Sequence, residues 1–136
     1  MPNPETKFTT KVRNLWEAKF PEIRIYKHSD RFNGGIADLH WIMPNGVTAW
    51  VEVKWVNQVV KYRKAGLTDL QQDFLEEHAE KNLPSYVLVG TKDKCAWYRI
   101  EDFDGRVYGK DLLDTKKFVH ELVDEVVHGE GKHFHG

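Results

Sequence analysis

GGIADLHWIMPNGVTAWVEVKW, Gly34 to Trp55, decides how this chain is read. Two apolar runs, IADLHWIM and VTAWVEVKWV, flank Pro44-Asn45-Gly46, a tripeptide suited to a tight hairpin turn. Strand side chains alternate between faces, so Glu52 and Lys54 point one way and Val51, Val53 and Trp55 the other. If the two runs pair around the turn, residues whose numbers sum to about 90 face each other across the strands. Asp38 then lies opposite Glu52. Directly opposed side chains stand roughly 5 Å apart, and two carboxylates that close repel unless a cation lies between them.

Two readings of this cluster follow. In one, Asp38, Glu52 and Lys54 form a half-exposed cross-strand salt bridge, a common surface feature of sheets. In the other, Asp38 and Glu52 hold a hard divalent cation, Mg²⁺ or Mn²⁺, with the Val53 backbone carbonyl as a further oxygen ligand. Such a site suits phosphodiester hydrolysis. The metal polarises the scissile phosphate and acidifies a bound water, and Lys54 orients that water or stabilises charge on the phosphate.

The flanking sequence supplies an α/β frame. Phe8, Val12, Leu15, Trp16 and Ala18 recur at helical spacing, and Pro21 stops the pattern. IRIYKH alternates as a strand with Ile23 and Ile25 inward, and SDRFNGG reads as a loop. NQVVKYRKAG reads as a mobile or irregular connection. LTDLQQDFLEEHAEKN predicts a helix with Thr68 as N-cap and with Leu70, Phe74, Leu75 and His78 or Ala79 on its apolar side. SYVLVG and CAWYRI are two more strands around TKDK. DTKKFVHELVDEVVHG is a last helix with Phe118, Leu122, Val123, Val126 and Val127 inward. The order is α-β-β-β-α-β-β-α in one domain spanning 1–136, with a frayed His- and Gly-rich tail from about 128.

Composition narrows the function classes. A chain of 136 residues with a net charge of −1 shows no global affinity for nucleic acid, so any such affinity must be local. The segment from Lys54 to Thr68 carries Lys54, Lys61, Arg63 and Lys64 without one acidic residue, with Tyr62 among them. It is either a solvated loop or a patch for DNA phosphates, to which Lys27 and His28 add. The single Cys95 excludes an intrachain disulfide, and its neighbours do not make it a nucleophile. No apolar run has membrane-spanning length and MPNPETKF lacks a signal-peptide core, so an intracellular, cytoplasmic protein is expected. His40 shares the Asp38 face by alternation. It either borders the site or is a satisfied, partly buried histidine. His128, His133 and His135 are spaced as a flexible end rather than a metal site.

Gly35-Ile36-Ala37-Asp38, thirteen residues, then Glu52-Val53-Lys54 resembles the bipartite motif of the PD-(D/E)XK nucleases, with Ala37 where a proline is usual. The chain resembles the VRR-NUC family of small, phage-type nucleases in three further places. ETKFTTKV resembles the family's N-terminal helix, with Glu5 at its active-site glutamate. KHSDRFNGG resembles the loop before the aspartate strand. LTDLQQDFL resembles the helix whose glutamine approaches the catalytic lysine, with Gln71 as the best match. Glu5 has a competing explanation as a helix-start acid, Glu17 lies on the same helix, and Gln71 and Gln72 are both candidates for solvated positions.

The resemblance implies a restriction-endonuclease-like core, a mixed central sheet flanked by helices. Asp38, Glu52, Lys54, Glu5 and Gln71 would be its site. It further implies a divalent-metal-dependent, structure-selective DNA endonuclease, foremost a Holliday junction resolvase, acting as a homodimer on branched or four-way DNA. The alternatives are a nuclease for flaps, ends or single strands, and a catalytically idle DNA-binding module of the same fold.

Overall fold

The computed structural model describes residues 3–27, 39–42, 46 and 48–128. A helix opens the chain, α1 (Pro4–Lys19). The Asn3 side chain accepts from the Thr6 N–H at 2.8 Å, and Pro4 occupies a first-turn position where no N–H is needed. Phe8, Val12 and Trp16 recur every fourth residue and are buried, whereas Ala18 is exposed. The helix ends when the Phe20 N–H bonds the Trp16 carbonyl, one residue ahead of Pro21.

Three antiparallel strands follow: β1 (Arg24–Lys27), β2 (Leu39–Ile42) and β3 (Thr48–Trp55). The β2–β3 pairs are Leu39 with Val51, His40 with Trp50, Trp41 with Ala49 and Ile42 with Thr48. This is the register expected from the hairpin. Gly46, in the turn, has φ of 86°, a conformation that favours glycine.

The chain then forms a short strand, β4 (Tyr62–Lys64), and a helix, α2 (Asp69–Glu80). It returns as β5 (Ser85–Thr91), parallel to β3, and β6 (Lys94–Arg99), antiparallel to β5. Strand β7 (Arg106–Tyr108) pairs with β4, and β8 (Leu113–Asp114) pairs with β6. Helix α3 (Thr115–His128) follows. The main sheet has the order β1-β2-β3-β5-β6-β8, and β4-β7 is a separate ribbon.

Besides Ala18, further sequence expectations change here: β7 and β8 are added between CAWYRI and the last helix, where no strand was expected. The connection after β3, read as mobile or irregular, contains β4. Three exposed residues gave it no strand alternation, and its partner lies some forty positions downstream. Leu70, read as inward, is 60% exposed. The inward stripe of α2 starts one residue later, at Gln71, and continues through Phe74, Leu75 and His78.

The sheet separates two cores. Helices α1 and α3 cover one face, where Phe8, Val12, Trp16, Trp41, Leu88 and Phe118 meet. The Trp16 ring stands edge-on to Trp41 at 3.8 Å between centroids. Each such side chain contributes about 1.5–3 kcal/mol through burial. Helix α2 covers the other face, with Leu75, Val87, Val89, Tyr98 and Val107. Strand β5 is buried along all seven residues because both layers press on it. The Tyr86 hydroxyl donates to Glu125 at 2.7 Å, and Arg99 also bonds that carboxylate, so α3 is tied to the sheet by a buried polar cluster.

Gly90 of β5 is set by packing. A Cβ there would lie 2.5 Å from the Phe8 ring. The bare backbone lets α1 settle directly on the strand, beside Trp55 at 5.7 Å from Phe8.

Candidate active site

Alternation along β3 turns Val51, Val53 and Trp55 to the α1 side and Trp50, Glu52 and Lys54 to the α2 side. The described pairing with β2 stops at Leu39 and Val51, one residue short of Glu52. On the other edge β3 stays paired with β5 through Trp55. The Glu52 and Lys54 backbones are therefore held rigidly.

Glu52 is buried, with its side chain 3% exposed, and the Lys54 side chain is 20% exposed. Their charged ends are 3.8 Å apart. Gln71, in the first turn of α2, bridges them. Its Oε1 accepts from Lys54 Nζ at 2.9 Å and its Nε2 donates to Glu52 Oε2 at 3.3 Å. The same Oε1 accepts from the Thr68 N–H at 3.0 Å, and Thr68 Oγ1 accepts from the Gln71 N–H at 3.2 Å. This is a reciprocal capping box. The amide has one workable orientation, because a flip would aim its NH₂ at an ammonium and an N–H. The start of α2 and the bridge between the two charges thus depend on one side chain.

An aromatic group borders this cluster on the same face. His40 lies flat on Trp50 at 4.0 Å with 2° between planes. Trp50 meets Phe74 edge-on at 5.0 Å, and His78 stacks on Phe74 at 4.1 Å. His78 Nδ1 donates to the Phe74 carbonyl at 2.7 Å, which fixes the ring. His40 is half-buried within this stack.

Glu52, Lys54 and Gln71 therefore form one hydrogen-bonded cluster, with Val53 between the first two in β3. Asp38 and His28 lie outside the described residues, as do the glycines at 34 and 35, most of the turn and the tail beyond His128. Glu5 sits in the first turn of α1, whose body packs on the opposite side of the sheet. Phe8, three residues later, anchors that turn at the Trp55 and Gly90 end of β3 and β5, the end that carries Lys54. Lys27 ends β1, paired with Leu39. Lys61, Arg63 and Lys64 are exposed in and before β4. The sequence reading did not include Arg106 and Lys110, exposed cations near β4 that come from a distant segment. The β4–β7 register brings in Arg106, and the Gly109 N–H to Lys61 carbonyl bond brings in its neighbour Lys110.

The chemistry of the donors suits a hard divalent cation. A buried carboxylate and a backbone carbonyl are oxygen ligands, and the one thiol, Cys95, is buried in the opposite core. Among the described residues no three His, Cys, Asp or Glu side chains come together to hold a metal. Within the cluster, the described oxygens of this kind are those of Glu52 and the Val53 backbone. Lys54 has three N–H donors, of which Gln71 takes one. The cluster combines an acceptor for a cation with a positive donor for an anion, a few ångströms apart. Among the described residues no helix is long and apolar enough to cross a membrane.

No family model matches the chain, and neither does any curated protein. Among solved structures, Hjc, a Holliday junction resolvase from the archaeal hyperthermophile Archaeoglobus fulgidus, superposes with a TM-score of 0.56 at 11% identity, over 84% of this chain and 98% of its own. SSO0001 aligns over 95% of this chain and 61% of its own at 15% identity, with a TM-score of 0.41. The likeness to the resolvase concerns the fold: this chain has the mixed sheet flanked by helices of the restriction-endonuclease-like architecture.

Proposed function

We propose that this chain is a divalent-metal-dependent, structure-selective DNA endonuclease, foremost a Holliday junction resolvase, of VRR-NUC type. The observation that carries the reading is the Glu52–Gln71–Lys54 cluster at the paired edge of β3 in a resolvase-like fold. A structural salt bridge would need only Glu52 and Lys54. Here a third residue, from another element, holds both in a fixed geometry.

In this reading Glu52, the Val53 carbonyl and Asp38 would hold Mg²⁺ or Mn²⁺, and Glu5 would complete the acidic set. The bound metal supplies an acidified water and charge neutralisation at the phosphate. The Lys54 ammonium, held by Gln71, would donate to a phosphate oxygen or to the water that hydrolyses it. Gln71 keeps the ammonium aimed by accepting one of its protons, and Lys61, Arg63, Lys64, Lys27 and His28 contact the DNA backbone. Such positioning of one donor is worth about 10²–10³ in rate. A homodimer would present one site to each of the two symmetric strands of a four-way junction.

A panel of four-way junction, flap, blunt duplex and single strand, incubated with Mg²⁺ or Mn²⁺, tests the assignment. Paired nicks in the junction are expected, with none in EDTA. Equal or better cutting of flaps or single strands would replace the resolvase reading with the broader nuclease one. No cutting of any substrate with either metal would remove the enzymatic reading.

A further inference from the structure

The β4–β7 ribbon presents one outward face. Tyr62 pairs with Tyr108 and Lys64 with Arg106, so these four side chains share a side, while Val107, on the other side, is buried. Tyr62 is 48% exposed, and Lys64 and Arg106 are exposed. The Arg106 guanidinium lies over the Tyr62 ring at 4.9 Å, and Lys110 Nζ lies 5.9 Å from the Tyr108 ring centre. Asp104 is the acidic neighbour. Its carboxylate accepts from the Arg106 N–H and the Tyr108 hydroxyl, so it is engaged at the entry to β7. In a chain of net charge −1, this is a concentrated basic and aromatic surface.

The ribbon is also fixed in place. The Ala65 N–H bonds the Gly105 carbonyl and the Gly109 N–H bonds the Lys61 carbonyl. Val56 and Thr91 tie the segment leaving β3 to β5, through the Gly90 and Asn57 carbonyls. The excursion from β3 to α2 begins at Lys54 and returns at Gln71, and those residues are hydrogen-bonded at 2.9 Å. Lys64 is seven residues from Gln71, which bounds its distance from the cluster at about 25 Å. A strand seated on the ribbon is therefore within a few nucleotides of the Lys54 ammonium.

We propose that the outward face of the β4–β7 ribbon is a DNA-docking surface, with Lys64, Arg106 and Lys110 on the phosphates of a duplex arm and Tyr62 stacked on a base face exposed where stacking breaks at the branch. This inference rests on the nuclease reading above. Two-stranded ribbons match nucleic-acid grooves, and aromatic rings beside cations hold exposed base faces regardless of sequence. The new contributors are Arg106, Lys110 and the tyrosines. Arg63 pairs with Val107, on the other side of the ribbon, and its guanidinium donates to the Gln58 carbonyl at 3.3 Å, so it is not part of this face.

Fluorescence anisotropy of a labelled four-way junction, titrated across KCl concentrations, tests this. For Lys64→Gln/Arg106→Gln, the slope of log K against log salt should flatten by about 1.8, at about 0.9 per lost phosphate contact. Lys110→Gln, outside the two strands, should flatten it by about 0.9. Tyr62→Ala should weaken junction binding roughly tenfold more than binding to an unbranched duplex. Lys19→Gln, at the end of α1 and outside the ribbon, should leave the salt slope at the wild-type value. If wild-type protein binds and cuts but the glutamine variants keep its affinity and slope, the ribbon inference falls and the nuclease reading stands. If wild-type protein shows no salt-dependent DNA affinity, both fall.

Discussion

Gln71→Ala removes three interactions at once: the acceptor for Lys54 at 2.9 Å, the donor to Glu52 at 3.3 Å and the acceptor for the Thr68 N–H at 3.0 Å. Hydrogen bonds to charged groups contribute about 1.5–3 kcal/mol each, and the lower end applies because Lys54 is partly exposed and the Glu52 bond is long. Half of a capping box adds somewhat under 1 kcal/mol. The sum is just under about 4 kcal/mol, which for a chain of this size lowers Tm by roughly 13 °C. Thr68→Ala is the matched control. It removes the other half of the box, costs about 1 kcal/mol, and leaves the bridge to Lys54 and Glu52 in place. Gln71→Glu keeps an acceptor for Lys54 but sets two carboxylates side by side, so a bound cation should recover part of its stability.

Melting curves and single-turnover junction cleavage of the three variants form the assay. Thr68→Ala should cut at near the wild-type rate. Gln71→Ala should cut about 10²-fold slower at a temperature where it is fully folded. If Gln71→Ala loses no more stability than Thr68→Ala and cuts normally, Gln71 is a helix cap only and the positioning argument is refuted.

Three further outcomes follow from the packing. Gly90→Ala should cost about 1–3 kcal/mol because its Cβ meets the Phe8 ring at 2.5 Å, and adding Phe8→Leu should restore part of the loss in a denaturant melt. Glu125→Ala strands Tyr86 and Arg99 and should cost about 3 kcal/mol, against about 1 kcal/mol for Tyr86→Phe, both read from chemical denaturation. Burial pushes the Cys95 thiol well above its ordinary pKa, so native protein at pH 8 should resist a thiol reagent, and labelling should rise only under unfolding conditions.

The hairpin was legible because its turn and its alternating runs agree. The four observed β2–β3 pairs follow from counting outward from Pro44 to Gly46. Helix α2 shows where the reading went astray. Hydrophobicity alone put Leu70 inward, but the Thr68 cap sets the start so that Gln71 takes the first inward position and Leu70 faces solvent. A polar residue at the head of an otherwise apolar stripe was the available sign of a site. Strand β4 left no such sign. Tyr62, Arg63 and Lys64 are all exposed, and only pairing with Arg106–Tyr108 makes them a strand. Long-range pairing of that kind is absent from any local window, and so the basic face that it builds was only half visible.

In the proposed function Glu52 and Lys54 act on DNA rather than merely bridging charge. Nicking and binding of one four-way junction by highly purified wild-type, Glu52→Ala, Lys54→Ala and Asp38→Ala proteins, with Mg²⁺ or Mn²⁺ and with EDTA, test it most directly. Wild-type protein should nick only with metal, and each variant should bind the junction while failing to cut it. Metal-dependent nicking at the wild-type rate by any one of the variants would contradict the role assigned to that residue, and for Glu52 or Lys54 it would contradict the account itself.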